Sequence, residues 1–409
     1  MSIKKTYRFL LLTIIVVAIY SCVEPFDDFN TEIFESALVI EATITNELKP
    51  QEILLSRTFA LEEDGPSPES NAIVKIIDDT QQEYLFQEMD AGKYVSTNAF
   101  KAESNTNYKL SIQTSDGKSY ASETTVLSNT SHIDAVYAKR EFNKDTIEGI
   151  SIFVDSFDPS RSSNYYRYTF EETYKIIAPN YSSLKLVFDE GSFTDYNLIQ
   201  RPKQKKVCYK TVSSKAIIIT NTNDLMEDRI DRFSVRFIKR DNFIISHRYS
   251  VLVKQFVQSR EAFTYYETLK NLSEFESIFS ENQSGFISGN VFSESYRNEK
   301  VIGFFQVSSV DSQRIFFDYT DLFPNEDLPP YAISCSGLIA PEVKNGCIPL
   351  PDGGEICNYP LFDNIQLGFQ YVTSNSDGMF GSGPFILSHR ECGDCTALGK
   401  NEIPNFWIE

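Results

Sequence analysis

Seven cysteines and three histidines are the residues best suited to chemistry in this chain of 409. Cys22 stands alone near the N-terminus. The other six are Cys208, Cys335, Cys347, Cys357, Cys392 and Cys395, five of them lying beyond residue 334. Cys392-Gly393-Asp394-Cys395 has the spacing of a redox pair, but no thioredoxin-like βαβ pattern surrounds it. Together with Cys347 and Cys357, the same two cysteines could supply a four-thiolate zinc site. Six is an even number, and five of the six crowd into a loop-rich region of a chain expected to be exported, which points instead to structural disulfides. Spacing cannot choose among the pairings.

Catalytic constellations are thin. His132, His247 and His389 fit no metal-binding helix motif. Gly381-Ser382-Gly383 is no nucleophile elbow, because Phe380 and Pro384 stand where glycines are needed. Gly117-Lys118-Ser119 is no phosphate loop, since Ile112 occupies the first glycine position. The chain holds 57 acidic residues, too many to select a pair that would cleave glycosides. No catalytic residue, cofactor or metal is therefore expected. The acidic loops leave bound calcium open, without a recognisable loop signature. With 38 basic residues the net charge is −19, which repels a phosphate backbone and excludes nucleic acid as a partner.

The N-terminus defines a compartment. Lys4, Lys5 and Arg8 precede the apolar run Phe9–Tyr20, which is too short to span a bilayer as a mature helix. Residues 1–21 read as a secretory signal peptide. Ile19-Tyr20-Ser21-Cys22 resembles a bacterial lipobox, with the small Ser21 before the cysteine. Cys22 is thus the expected lipidation site, where two or more acyl chains would anchor the protein stably. Residues 22–32, including Glu24, Asp27 and Asp28, form an acidic tether.

The elements that must position everything else are strands. Leu38, Ile40, Ala42 and Ile44 alternate with other residues, and the runs 53–56, 73–77, 83–86 and 108–112 follow the same period of two. Asp116-Gly117 between alternating runs predicts a type I′ hairpin. These features give a small immunoglobulin-like or transthyretin-like β-sandwich over 33–128. Residues 130–285 read as a second β-rich domain with strands at 149–154, 165–177, 216–219, 233–238 and 249–257. It ends in a helix at 259–272, whose Phe263, Tyr266 and Leu269 form a core-facing stripe behind a Ser259 cap. The stretch 178–207 reads as a polar loop carrying the basic residues Arg201, Lys203, Lys205 and Lys206. That run is a solvated loop or a contact for an anionic partner.

Residues 286–409 form a C-terminal β/loop region, expected to pack on the second domain, with strands at 301–307 and 314–319. Its long segments 322–361 and 373–389 carry Phe323, Tyr331, Tyr359, Phe380 and Phe385. Aromatic rings in polar loops are typical interface anchors, which makes these five the partner-binding candidates. The alternative is that the rings pack beneath their own loops.

These residues carry a resemblance. Ala37–Thr45, Gly92-Lys93-Tyr94, Asp116–Tyr120, Phe157-Asp158-Pro159, Asn164–Tyr168 and Cys208–Thr211 resemble the Bacteroidota outer-membrane lipoproteins known as domain of unknown function 4249. So do Gly289-Asn290-Val291, Gly303-Phe304-Phe305 and Arg390–Cys395 leading to Pro404-Asn405-Phe406-Trp407. Leu361–Ser388 departs from the pattern as an insertion. The resemblance implies a surface-exposed, lipid-anchored partner of an outer-membrane β-barrel, a TonB-dependent nutrient transporter first. It attaches no catalytic residues. A structural accessory of an envelope assembly or secretion complex is the alternative, and a surface hydrolase the third reading.

Overall fold

Leu38, Ile40, Ala42 and Ile44 point inward from the first strand, Leu38–Thr45, while Glu41 faces out. That alternation is repeated along the chain and produces a mainly β protein. The computed structural model describes residues 36–59, 65–274 and 287–409. Cys22 and the expected signal peptide and tether, residues 1–32, lie outside the described residues.

The first body is a single eleven-stranded sheet folded over one core. Its main path runs from Val291–Ser293 through Ser119–Ser122, Asn107–Gln113 and Ile73–Asp78. It continues through Glu83–Asp90, Lys93–Ser96, Glu52–Arg57 and Leu38–Thr45 to Val301–Ser308. Tyr94, Tyr108, Tyr120 and Phe305 fill its centre. The ends of the path meet through Asn290. Its side chain donates to the Phe305 carbonyl at 2.9 Å and accepts from the Phe305 amide at 2.7 Å. Gly289 and Gly303 make this closure possible: a Cβ on Gly289 would sit 1.6 Å from the Gly303 carbonyl oxygen. A Cβ on Gly303 would sit 2.4 Å from that of Ile40.

The hairpin at Asp116-Gly117 forms with a different turn. Only Gly117 has positive φ, at 86°, while Asp116 accepts from the Thr114 hydroxyl at 2.5 Å. The connection is therefore not a type I′ turn, which needs two such residues.

The second body is a sandwich. A three-stranded sheet of Ile133–Phe142, Glu148–Asp158 and Asp228–Lys239 faces a five-stranded one. The five are Tyr165–Ile177, Val207–Ser213, Ile218–Asn221, Tyr249–Val257 and Val310–Phe317. Ile150, Ile152 and Val154 pack against Tyr166, Tyr168, Val251 and Val253. The helix Arg260–Glu274 starts behind Ser259, whose hydroxyl accepts from the Ala262 amide at 3.1 Å. Phe263 is buried against Tyr165, with ring centroids 5.1 Å apart, as the apolar stripe requires.

The expectation that 286–409 packs as one region on the second domain is corrected. Val291–Ser293 and Val301–Ser308 complete the first sheet, the latter in parallel register with Leu38–Thr45. Val310–Phe317 then pairs with Tyr249–Val257 in the second body. Buried Ser308 and Ser309 form the crossing point: the Ser308 hydroxyl donates to the Val257 carbonyl at 2.6 Å. A strand's side-chain period records that it is half-buried and says nothing of which sheet it joins.

A third, smaller body contains the remaining strands and the crowded cysteines. The stretch 178–207 is not the loop expected. Leu184–Phe188 and Tyr196–Gln200 form a hairpin whose Leu186 packs with Leu361, Tyr371, Phe385 and Leu387. Two further hairpins, Asn345–Pro349 with Glu355–Asn358 and Gln370–Ser374 with Phe385–Ser388, flank the short helix Pro360–Gln366.

Candidate functional site

Three disulfides resolve the cysteine alternatives, and one of them, Cys208–Cys395, sits in the core of the second body. Cys208 pairs with Cys395, Cys335 with Cys392, and Cys347 with Cys357. Cys392 and Cys395 thus bond to different partners, which takes both out of a redox pair. All four sulfurs of the supposed zinc site are likewise committed. Glu355 lies beside Cys347 and Cys357, yet a bonded sulfur is not a thiolate ligand. Asp394 between the paired cysteines shapes the turn. Burial would raise its pKa, but hydrogen bonds from Thr396 and Lys205 outweigh that and hold it below the usual carboxylate range.

The five aromatic candidates divide by burial. Phe323 is fully buried at 0% exposure and stacks on Tyr319 at 4.8 Å. Arg140 lies over its ring at 4.6 Å. Phe385 is buried between Tyr196 and Tyr371, at 5.2 and 5.6 Å. Neither can reach a partner, so both are corrected to core residues. Tyr331 is half-buried and donates to the Glu391 carbonyl at 2.9 Å; burial pushes its pKa up to about 12. Phe380 is half-buried, its carbonyl accepting from Ala340 at 2.8 Å. Tyr359 is half-buried and stacks on Phe193 at 4.9 Å.

A cleft of about 490 Å³ opens beside these rings. Phe188 and Phe193 of the hairpin form one wall, Phe362 and Phe369 the other, and Lys185 and Arg201 supply charge. Phe362 meets Phe193 and Phe188 edge-on at 5.0 and 5.1 Å. Arg201 is spent on structure, donating to the Ser182 carbonyl at 3.0 Å and to Gln370 at 2.7 Å. Lys205 pairs with Asp394 at 2.9 Å. Half of the basic run therefore serves the fold, while Lys203 and Lys206 remain exposed.

Sequence reasoning missed an exposed apolar pair held by a disulfide. The Cys347–Cys357 hairpin sets Ile348 directly opposite Ile356, with exposures of 65% and 62%. Nearby in sequence, Met379 on the 374–384 tip is 76% exposed. The pattern Cys-Ile-Pro…Ile-Cys carried the signal, but the turn-rich composition between the cysteines concealed the strands.

The histidines are dispersed. His132 is exposed beside Asp311 at 3.5 Å, His389 is exposed against Phe369, and burial lowers the pKa of His247. They form no shared site.

The profile of the family described as "Domain of unknown function (DUF4249)" matches residues 23–314. The chain belongs to this family. The matched span contains Gly289, Asn290 and Gly303, the residues that close the first sheet. It stops before Cys335, so most of the disulfide-braced body lies beyond it. No curated protein matches. Among solved structures, a DUF4785 family protein from Legionella pneumophila covers 53% of this chain at 10% identity, with a TM-score of 0.16. The chain covers half of that protein's length. A BSP domain of a biofilm-associated protein covers 69% at 8% identity, with a TM-score of 0.15. Likenesses this weak carry no argument.

Proposed function

We propose that this DUF4249 protein is a non-enzymatic binding protein, lipid-anchored through Cys22 to the outer membrane and exposed at the cell surface. There it serves a β-barrel partner, a TonB-dependent transporter in the first instance. Three disulfides support an oxidising, extracytoplasmic location. The basic and apolar start of the chain followed by Ser21-Cys22 supports export and lipidation. Among the described residues no helix is long and apolar enough to cross a membrane.

One observation carries the binding role: the disulfide-closed hairpin that displays Ile348 and Ile356 on an otherwise acidic protein. A covalent staple across a short hairpin limits the conformations lost on binding, so an exposed apolar pair there is already arranged for contact. A photo-crosslinking residue placed at Ile356 tests this in intact cells. The reading predicts one adduct with an outer-membrane barrel and none from the same group placed at Lys203. Absence of a barrel adduct from Ile356, or an equal one from both positions, overturns it.

A further inference from the structure

The first and second bodies leave a cleft of about 710 Å³ between the outer faces of their sheets. One wall is the outward side of Leu38–Thr45, with Glu41 and Thr43; the other is the outward side of Tyr165–Ile177 and Tyr249–Val257. On that second wall Arg167 and Thr169 follow the strand's period of two. Arg167 pairs in register with Phe256, and Thr169 with Lys254.

Arg167 is held in an unusual way. Its guanidinium lies 4.5 Å from the Phe256 ring centroid and 4.9 Å from that of Tyr266 on the helix. Two rings fix the plane of the side chain and strip water from it. No carboxylate of the described residues pairs with it, and its buried Nε has no hydrogen-bond partner. Other arginines of the same sandwich are satisfied: Arg236 takes Glu172 at 3.1 Å, and Arg314 takes Glu171 at 3.0 Å. Lys254, beside Arg167 in the cleft, has no ion-pair partner among the described residues either. The acidic residues of the cleft are mostly engaged, Glu171 by Arg314 and Glu52 by Lys93. Arg167 and Lys254 thus face a space that offers hydroxyls from Thr43, Thr169 and Ser213 and has one carboxylate unpaired among the described residues, Glu41, on its opposite wall.

We propose that this cleft binds a small hydroxylated carboxylate, a sugar acid, with Arg167 and Lys254 receiving the carboxylate and the hydroxyl-bearing residues receiving the ring hydroxyls. A guanidinium held flat presents its N–H donors in the plane that matches a carboxylate's two oxygens. A partly desolvated cation with no counter-ion is costly, and an incoming carboxylate relieves that cost. The volume falls in the range of small-molecule sites. The cleft shares no lining residue with the Ile348 hairpin, so this inference stands or falls independently of the partner reading.

Titration calorimetry with glucuronate tests it on the exported chain, with glucose and inorganic phosphate as comparison ligands. The proposal predicts saturable one-to-one binding of glucuronate, at least tenfold tighter than either comparison. Lys254→Gln should weaken glucuronate about threefold to tenfold. Arg167→Lys, which keeps the charge and loses the fork, should weaken it at least tenfold while leaving the unfolding midpoint of the protein unchanged. Phosphate binding as tightly as glucuronate would overturn the carboxylate assignment. Glucose binding as tightly, undiminished affinity in Arg167→Lys, or no glucuronate binding at all would overturn the site.

Discussion

Asp158 shows how one side chain at a strand end governs stability. It is buried, and burial alone would raise its pKa; hydrogen bonds from Ser160, Ser163 and Ser162 reverse that and hold it at about 2. A carboxylate held below its unfolded value stabilises the fold fully above roughly pH 4. That contribution is lost as pH falls through about 2, because the unfolded chain takes up the proton first. Asp158→Asn should therefore lower the urea midpoint at pH 7 and flatten its decline between roughly pH 4 and 2. Phe323 makes a second case. Truncating a buried ring costs about 3–5 kcal/mol, so Phe323→Ala should destabilise by that amount, whereas Phe380→Ala should cost under about 1.5 kcal/mol. Urea denaturation of the two variants compares them directly. Composition alone could not separate these two rings. Both stand in polar, turn-rich sequence, and only the fold shows that Tyr319 and Arg140 close over Phe323.

Strands are the most legible part of the sequence, because a half-buried strand must alternate. Tyr165–Ile177 and Tyr249–Val257 stand where the period of two placed them, and Ser259 caps the helix expected after them. The hairpin Leu184–Phe188/Tyr196–Gln200 was not legible: its five-residue strands are short, and basic and polar residues surround them. The closure by Asn290 was also hidden, since one amide bridging two buried backbone groups leaves no periodic trace. Asn290→Ala strands both groups of Phe305 and should cost about 2–4 kcal/mol in urea denaturation. The disulfides differ by the loops they close. Cys208–Cys395 spans 187 residues and Cys347–Cys357 spans 10. Constraint on the unfolded chain gives roughly 5 and roughly 3 kcal/mol respectively as upper values. Replacing Cys208 and Cys395 by Ser should thus lower the melting temperature more than replacing Cys347 and Cys357.

At the level of the assembled protein, the chain returns on itself. Val301–Ser308 closes the first body and Val310–Phe317 extends the second, so two residues, Ser308 and Ser309, help hold both together. The C-terminus is fastened to the second body as well: Trp407 packs on Tyr209 and Phe316, and Glu409 pairs with Lys175 at 2.7 Å. Beside the two larger β bodies stands a third, whose Cys347–Cys357 hairpin displays Ile348 and Ile356. On the proposed reading, that hairpin makes the contact and lipidation of Cys22 would keep it at a membrane. Retention of partners by the tagged full-length chain, extracted from outer membranes in mild detergent, tests this most directly. Mass spectrometry should find a β-barrel protein with the natural chain, reduced at least tenfold with Ile348→Asp/Ile356→Asp while the three disulfides remain intact. Recovery of no barrel protein, or equal recovery with both chains, would contradict the account.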